Sequence, residues 1–351
     1  MLTLHKATEE TKTILKFGGI LLGLILGFLI ITNIGGALKE LLFPTPPTPP
    51  TVTFGKLPKP IFIENSQIKP ETFTLNTISG QLPNFPIKLN VYKIKNPQPN
   101  LLALQKAKDR ASNFGFLLSE RSLSPILYQW TDKLSPSRTL TYDITSLNFN
   151  IVSDYFSDPN VLNKNSLPTQ DVAIKTAQSL IQKLSASYSD IDNSKTKTTL
   201  LAINEGGQGL ITATSFSAAQ VIKVDFFQKD IDNIPITYAN PPGSSMNILI
   251  SPGEREGKVV EANFLHQNVS SESATYPTKS AQDAFNLLKE GKAHMVSYYG
   301  QSNGEVLIKN VYLAYYMGNG EQQYLTPVIV FEGNNGFFAY TSAVTDEWIG
   351  K

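Results

Sequence analysis

The sequence predicts an α+β fold carried behind one N-terminal transmembrane helix, on three observations. Phe17–Ile34 holds no charged residue, and the uncharged run continues through Leu38. Beyond it, stretches with helical spacing at Leu101–Phe114, after Pro168-Thr169 and after Pro277-Thr278 each precede a group of strand-like stretches. Those strands are separated by Gly, Pro, Asn and Asp turns of the kind that join antiparallel neighbours. Each helix is expected to cover one face of a curled antiparallel sheet, and the recurrence reads as a degenerate repeat.

At ~1.5 Å rise per residue a helix over Phe17–Leu38 reaches roughly 33 Å, enough to cross a hydrocarbon core of ~30 Å. The lipid bilayer is thus the first expected partner. Gly35-Gly36-Ala37 offers a small-x-small cleavage site, but the apolar run is longer than a signal peptide needs, which favours an uncleaved anchor. Lys6, Lys12 and Lys16 precede the helix and Lys39 is the sole base soon after it. This bias places the N-terminus (residues 1–16) in the cytoplasm and the rest outside, in a single-pass arrangement at the cell membrane. Gly19, Gly23 and Gly27 recur every four residues and so share one helix face, where a partner helix or a second copy can approach closely.

Residues 39–70 contain Pro44, Pro46, Pro47, Pro49 and Pro50, then Pro58, Pro60 and Pro70. Proline fixes φ and removes donors, so an extended spacer is expected there. The 351-residue chain leaves enough length for two or three domains. With 41% hydrophobic residues, 19 Phe and 14 Tyr, the region beyond the membrane segment has ample material for cores. A net charge of +1 gives no footprint for nucleic acid. The lack of cysteine excludes disulfides, zinc–thiolate sites and cysteine nucleophiles.

A first α+β domain is expected over 71–157. Phe73–Ser79 and Ile87–Ile94 alternate as a strand pair around Leu82–Pro86, and Leu101, Leu104, Ala107, Ala111 and Phe114 form a helix stripe stopped by Gly115. Ile126–Thr131 and Thr139–Tyr155, the latter broken near Ser146, follow as strands. A second domain over 167–267 opens with a helix buried through Ala173, Ala177, Leu180, Ile181 and Leu184. Six strands follow, with hairpins at Pro241-Pro242-Gly243 and Pro252–Gly257. A C-terminal unit over 276–344, packed with the second domain, has a helix with Ala281, Ala284, Phe285 and Leu288 inward, capped by Gly291. Four strands close it: Ala293–Tyr299, Val306–Met317, Tyr324–Glu332 and Phe337–Val344.

Chemistry is sparse. His5 is cytoplasmic in this topology, and His266 and His294 fall on different strands with no carboxylate four residues away, so they read as ordinary strand residues. Asp-Ile-Asp-Asn at Asp190–Asn193 and Asp230–Asn233 lacks the Gly and closing Glu of a calcium loop and reads as turns. Ser66-Gln67-Ile68-Lys69 has acyl-enzyme spacing without its partner motifs, and Gly206-Gly207-Gln208-Gly209 lacks the P-loop lysine. No catalytic, cofactor or metal residue is assigned. The remaining candidate is aromatic. Tyr312, Tyr316, Tyr324 and Pro327 are read as a partner surface, with Pro327 marking an edge or bulge open to strand addition, against the alternative of a strand buried on both faces.

Tyr276–Gly291, Val311–Tyr316 and Tyr324–Phe331 together resemble the C-terminal part of the YycH/YycI type, and Val224–Ile236 resembles the strand pair before it and PepSY-like modules more broadly. The resemblance spans roughly 170–344. It implies a membrane-anchored extracytoplasmic protein that regulates a sensor histidine kinase without enzymatic activity. An envelope peptide- or glycan-binding module is the rival expectation, and a carboxylate-dependent hydrolase the third.

Overall fold

The computed structural model describes residues 11–12, 15–25, 27–29, 48–63, 70–95, 97–98, 100–135, 137–162, 167–185, 188–207, 209–253, 257–302 and 304–350. The chain divides into two units, Met1–Pro49 and Pro50–Lys351. In the first, helix α1 is described over 15–25 and 27–29, with Phe17, Leu21, Leu24 and Phe28 exposed. Gly19, Gly23 and Gly27 lie on it, and a Cβ added at any of the three would meet nothing within 4 Å. No helix among the described residues is long and apolar enough to cross a membrane. Residues 30–38 of the expected span, like Ser66–Lys69, lie outside the described residues.

The second unit is a mixed α+β fold dominated by sheet. It begins with β1 (Thr72–Leu75), β2 (Lys88–Ile94), α2 (Ala103–Ser112), β3 (Phe116–Ser122), β4 (Leu127–Asp132), β5 (Thr139–Asp143) and β6 (Phe149–Val152). Next come α3 (Pro159–Leu162), α4 (Gln170–Leu184), β7 (Lys197–Ile203), β8 (Leu210–Thr212), β9 (Val221–Phe226), β10 (Ile236–Tyr238), β11 (Met246–Ser251) and β12 (Lys258–Phe264). The chain finishes with β13 (Val269–Pro277), α5 (Ala281–Lys289), β14 (His294–Ser297), β15 (Glu305–Met317), β16 (Tyr324–Gly333) and β17 (Phe338–Ser342).

Nine strands form an antiparallel sheet in the order β3-β4-β5-β6-β12-β11-β9-β7-β8. Helices α2 and α4 cover one face, where Ala111, Ala177, Leu180 and Leu184 pack with Leu140, Ile222, Ile248 and Phe264 in one core. The second sheet runs β1-β15-β16-β17-β14, with β10 pairing β15 and with β2 joining β16 to β13. Helix α5 covers it through Ala284, Phe285 and Leu288, against Val311, Ile329 and Phe331. Helices α4 and α5 start as their sequences dictate. The Thr169 hydroxyl accepts from Val172 N–H at 3.4 Å and the Ser280 hydroxyl from Asp283 N–H at 3.1 Å, each satisfying a free first-turn donor.

Strand pairing departs from the expected domain boundaries. β1 and β2 do not form a hairpin: β1 runs parallel to β15, with Phe73 opposite Val306, and β2 pairs antiparallel with β13 and β16. The first part of 71–157 thus belongs to one sheet and the rest to the other. Alternation tells which face of a strand is buried but not which neighbour it takes. Pro241-Pro242-Gly243 likewise is no hairpin turn, because it leads from β10, parallel to β15, to β11 in the other sheet. Leu101 is fully exposed, outside the start of α2. β3 and β13, missing from the sequence reading, are polar along most of their length.

The expected spacer also ends early. Val52 N–H donates to the Thr275 carbonyl at 3.0 Å, Leu57 is fully buried, and Leu57 pairs as a parallel bridge with Ile349. Over residues 50–63 the proline-rich segment is a strap on the fold rather than a free tether.

Candidate functional site

The aromatic partner surface is not open. Tyr316 is buried, donates to the Ile61 carbonyl at 3.1 Å and meets the Phe62 ring edge-on at 4.8 Å. Phe54 lies over the half-buried Tyr324 at 5.1 Å. The strap therefore occupies the place assigned to a partner. Tyr312 is half-buried beside a hollow of about 340 Å³ that Pro241 and Pro242 also line. Pro327 is buried in β16, which lies between β15 and β17 and so is no edge. A proline is tolerated there because the carbonyl it would have bonded, that of Ala343, accepts from Lys279 N–H at 2.7 Å, while Ala343 N–H still donates to Pro327 at 3.0 Å.

A polar row crosses the sheet face that α2 and α4 do not cover. Register sets Arg121 opposite Gln129, Gln129 opposite Thr141, Thr141 opposite Asn150 and Asn150 opposite Asn263. The row continues through Asn247 and Asp225 to Lys197. Their neighbours along each strand, Leu140, Tyr142, Phe149, Ile151 and Phe264, are buried on the helix side, as the two-residue period of a strand requires. Each strand alone shows an unremarkable polar position. Only the register gathers them.

Above part of this row opens a cleft of about 520 Å³. Thr141, Asn150, Asn263 and Gln267 line the sheet side, and the β15–β16 turn contributes Asn319 and Glu321. Its apolar lining is mostly aliphatic: Ile94, Pro97, Ile126, Leu127 and Leu265. The wall is held in place by amides. Gln322 donates to the carbonyls of Tyr316 at 2.9 Å and Tyr324 at 2.8 Å, and accepts from Gly318 N–H at 3.0 Å. Gln267 donates to the carbonyls of Gly318 at 3.1 Å and Gly320 at 3.3 Å. Its own amide oxygen is buried without a partner. Among the described residues, the side chains of Asn263, Asn268 and Asn319 make no hydrogen bond.

A second polar cluster surrounds His266, which the sequence reading treated as an ordinary strand residue. The ring is buried, stacks on Tyr188 at 3.9 Å, and its Nε2 lies 3.0 Å from both carboxylate oxygens of Asp190. Gln228 also donates to Asp190, at 2.8 Å. Burial works to raise the Asp190 carboxyl, but the hydrogen bond and charge of His266 and the Gln228 bond outweigh it and hold it below its ordinary value. The other ring nitrogen, Nδ1, is buried without a partner. A histidine base needs its free nitrogen beside a hydroxyl or thiol, and here it has neither. Asp190 was read only as a turn residue because its partner lies 76 positions away. The second Asp-Ile-Asp-Asn does make a tight turn, with Asp232 and Asn233 at φ 54° and 61° between the bridged Ile231 and Ile234. The His294 ring packs against Phe62 at 4.8 Å, tilted by 43°. Among the described residues no group of three or more His, Asp or Glu side chains is placed to hold a metal ion.

No known family pattern matches the chain, and no curated protein matches it. Among solved structures, it is similar to an uncharacterized protein from Eubacterium rectale ATCC 33656, with 13% identity over 78% of this chain and 89% of that one, at a TM-score of 0.41. It is also similar to the Bacillus megaterium YpeB C-terminal domain, with 10% identity over 72% of this chain and 95% of that one, at a TM-score of 0.30. Likeness this loose carries neither fold nor function across.

Proposed function

We propose that this is a single-pass, membrane-tethered protein whose folded unit lies outside the cell and binds another membrane or envelope protein without doing chemistry on it. The observation that carries the reading is the lining of the cleft. Its unspent groups include the neutral amides of Asn263, Asn268 and Asn319, which recognise rather than react, and Asn263 sits on a sheet strand that holds it rigidly. The uncharged run Phe17–Leu38 and the lysines before it support the tether and its orientation. The YycH/YycI-like and PepSY-like stretches support a regulator of the sensor-kinase type.

A photo-cross-linking residue placed at Asn268 or Asn319 in living cells tests this. Both positions should capture the same envelope protein, whereas Ile78, fully exposed elsewhere, should not. Equal capture from all three sites, or none from the cleft, would end the proposal. The helix α1 stripe is part of the same reading, as the place where a partner helix or a second copy sits. Gly23→Ile with Gly27→Ile should weaken association in a membrane two-helix reporter, and an unchanged signal would reduce the segment to a plain anchor.

A further inference from the structure

Resting on that binding reading, we infer that the cleft takes an extended polypeptide segment, neutral to basic in charge and bearing aliphatic side chains. Three features of the lining point to peptide over sugar.

The first is the pairing capacity of the amides. A carboxamide offers one donor edge and one acceptor edge, which matches the N–H and C=O of a single residue in an extended chain. The protein already uses this match within the cleft wall. Asn148 accepts from His266 N–H at 2.9 Å and donates to the His266 carbonyl at 3.1 Å, standing in for a neighbouring strand. Asn263, Asn268 and Asn319 border the same cleft with both edges unspent. Gln267 fixes the opposite wall: its donor edge is held by the carbonyls of Gly318 and Gly320, which sets the turn that carries Asn319.

The second is the apolar lining. Sugar rings lay their C–H faces on exposed aromatic rings. The aromatic residue bordering this cleft, Phe149, is buried and stacks on Phe264 at 5.2 Å. What the cleft offers instead is aliphatic: Ile94, Pro97, Ile126, Leu127 and Leu265. Such surfaces receive side chains while the amides hold main chain, the division of labour in extended-peptide recognition. The third is charge. Asp143 and Glu321 border the cleft against the single ammonium of Lys95, so an acidic segment is disfavoured and a lysine or arginine is welcome.

The test uses the full chain in detergent micelles and a displayed library of short random peptides. Peptide-free glycan strands from cell wall serve as the competing probe. Selected peptides should combine aliphatic and basic residues. Their affinity should fall about tenfold or more for Asn263→Ala with Asn319→Ala, and to the same extent when the peptide backbone is N-methylated. Unfolding midpoints of the variants, matched to the wild type, separate lost contacts from lost fold. Binding of glycan without peptide would overturn the peptide assignment and leave the binding reading standing. So would capture of a partner from Asn268 and Asn319 with neither probe bound, since the partner then presents a folded surface. Failure of both probes and of the cross-linking would overturn both.

Discussion

The imidazole of His266 and the carboxylate of Asp190, 76 positions apart in the chain, hold each other at 3.0 Å. Because this contact keeps the Asp190 carboxyl below its ordinary value, its contribution to stability is present above the usual carboxylate range and is lost as the pH falls through the lowered one. Asp190→Asn should destabilise the protein at neutral pH by about 1 kcal/mol, a figure kept small because the side chain is 40% exposed. Urea unfolding of both proteins across the acid range should show the difference shrinking as the pH drops. A gap that widened in acid would contradict the contact.

Burial acts on the tyrosines in the opposite direction. It pushes the phenols of Tyr312 and Tyr316 up to about 12. Folding therefore favours their neutral form, and the stability gained is full below the ordinary phenol pKa of ~10 and lost as the pH rises through about 12. Ultraviolet titration should show part of the 14 tyrosines ionising only with alkaline unfolding. Reversible ionisation of all of them in one step near the ordinary value would mean that this aromatic face is open after all.

Leu288 is 2% exposed beneath α5, among Ala284, Phe285 and the β15–β16 pair. An aspartate there would put a charge among the apolar side chains of this core. Leu288→Asp is expected to cost roughly 3–5 kcal/mol, measured by urea or thermal unfolding. A variant as stable as the wild type would show that the inner face of α5 has been misassigned.

A soluble fragment beginning at Pro50 should unfold in one cooperative transition, because the strap and both sheets form one compact unit. A fragment beginning after Ile63 loses Leu57 from the core and Phe62 from Tyr316. It should be less stable by about 2–5 kcal/mol, the cost of deleting a large buried side chain, and should bind a hydrophobic dye. Identical unfolding curves for the two fragments would make the strap an ornament.

The long helices were legible in sequence because local rules specify them completely. A Thr or Ser cap and a stripe at three- and four-residue spacing place α4 and α5 within a residue or two, and Gly291 marks the end of α5. Apart from β3 and β13, the strands were legible as strands, but their partners were not. Nothing in Thr72–Leu75 says that it joins β15 in parallel, more than two hundred positions away. Pro327 misled for a related reason: whether a proline suits a central strand depends on what else reaches the carbonyl opposite, and Lys279 comes from a different element. The cleft was hidden most thoroughly. Asn150 and Asn263 are ordinary outward residues until β6 and β12 pair, and the opposite wall arrives from a turn beyond residue 318.

The strap has a mechanical consequence. Any pull arriving along the chain from before residue 50 is met by the Val52–Thr275 bond and the Leu57–Ile349 clasp before it reaches a strand of either sheet. Those bonds are fewer than the ladders of either sheet, so they are expected to yield first. Their release would lift Phe54 and Phe62 away and bare Tyr324 and Tyr316. Under the proposed tethering the strap would act as a fuse, converting tension into a newly uncovered aromatic surface.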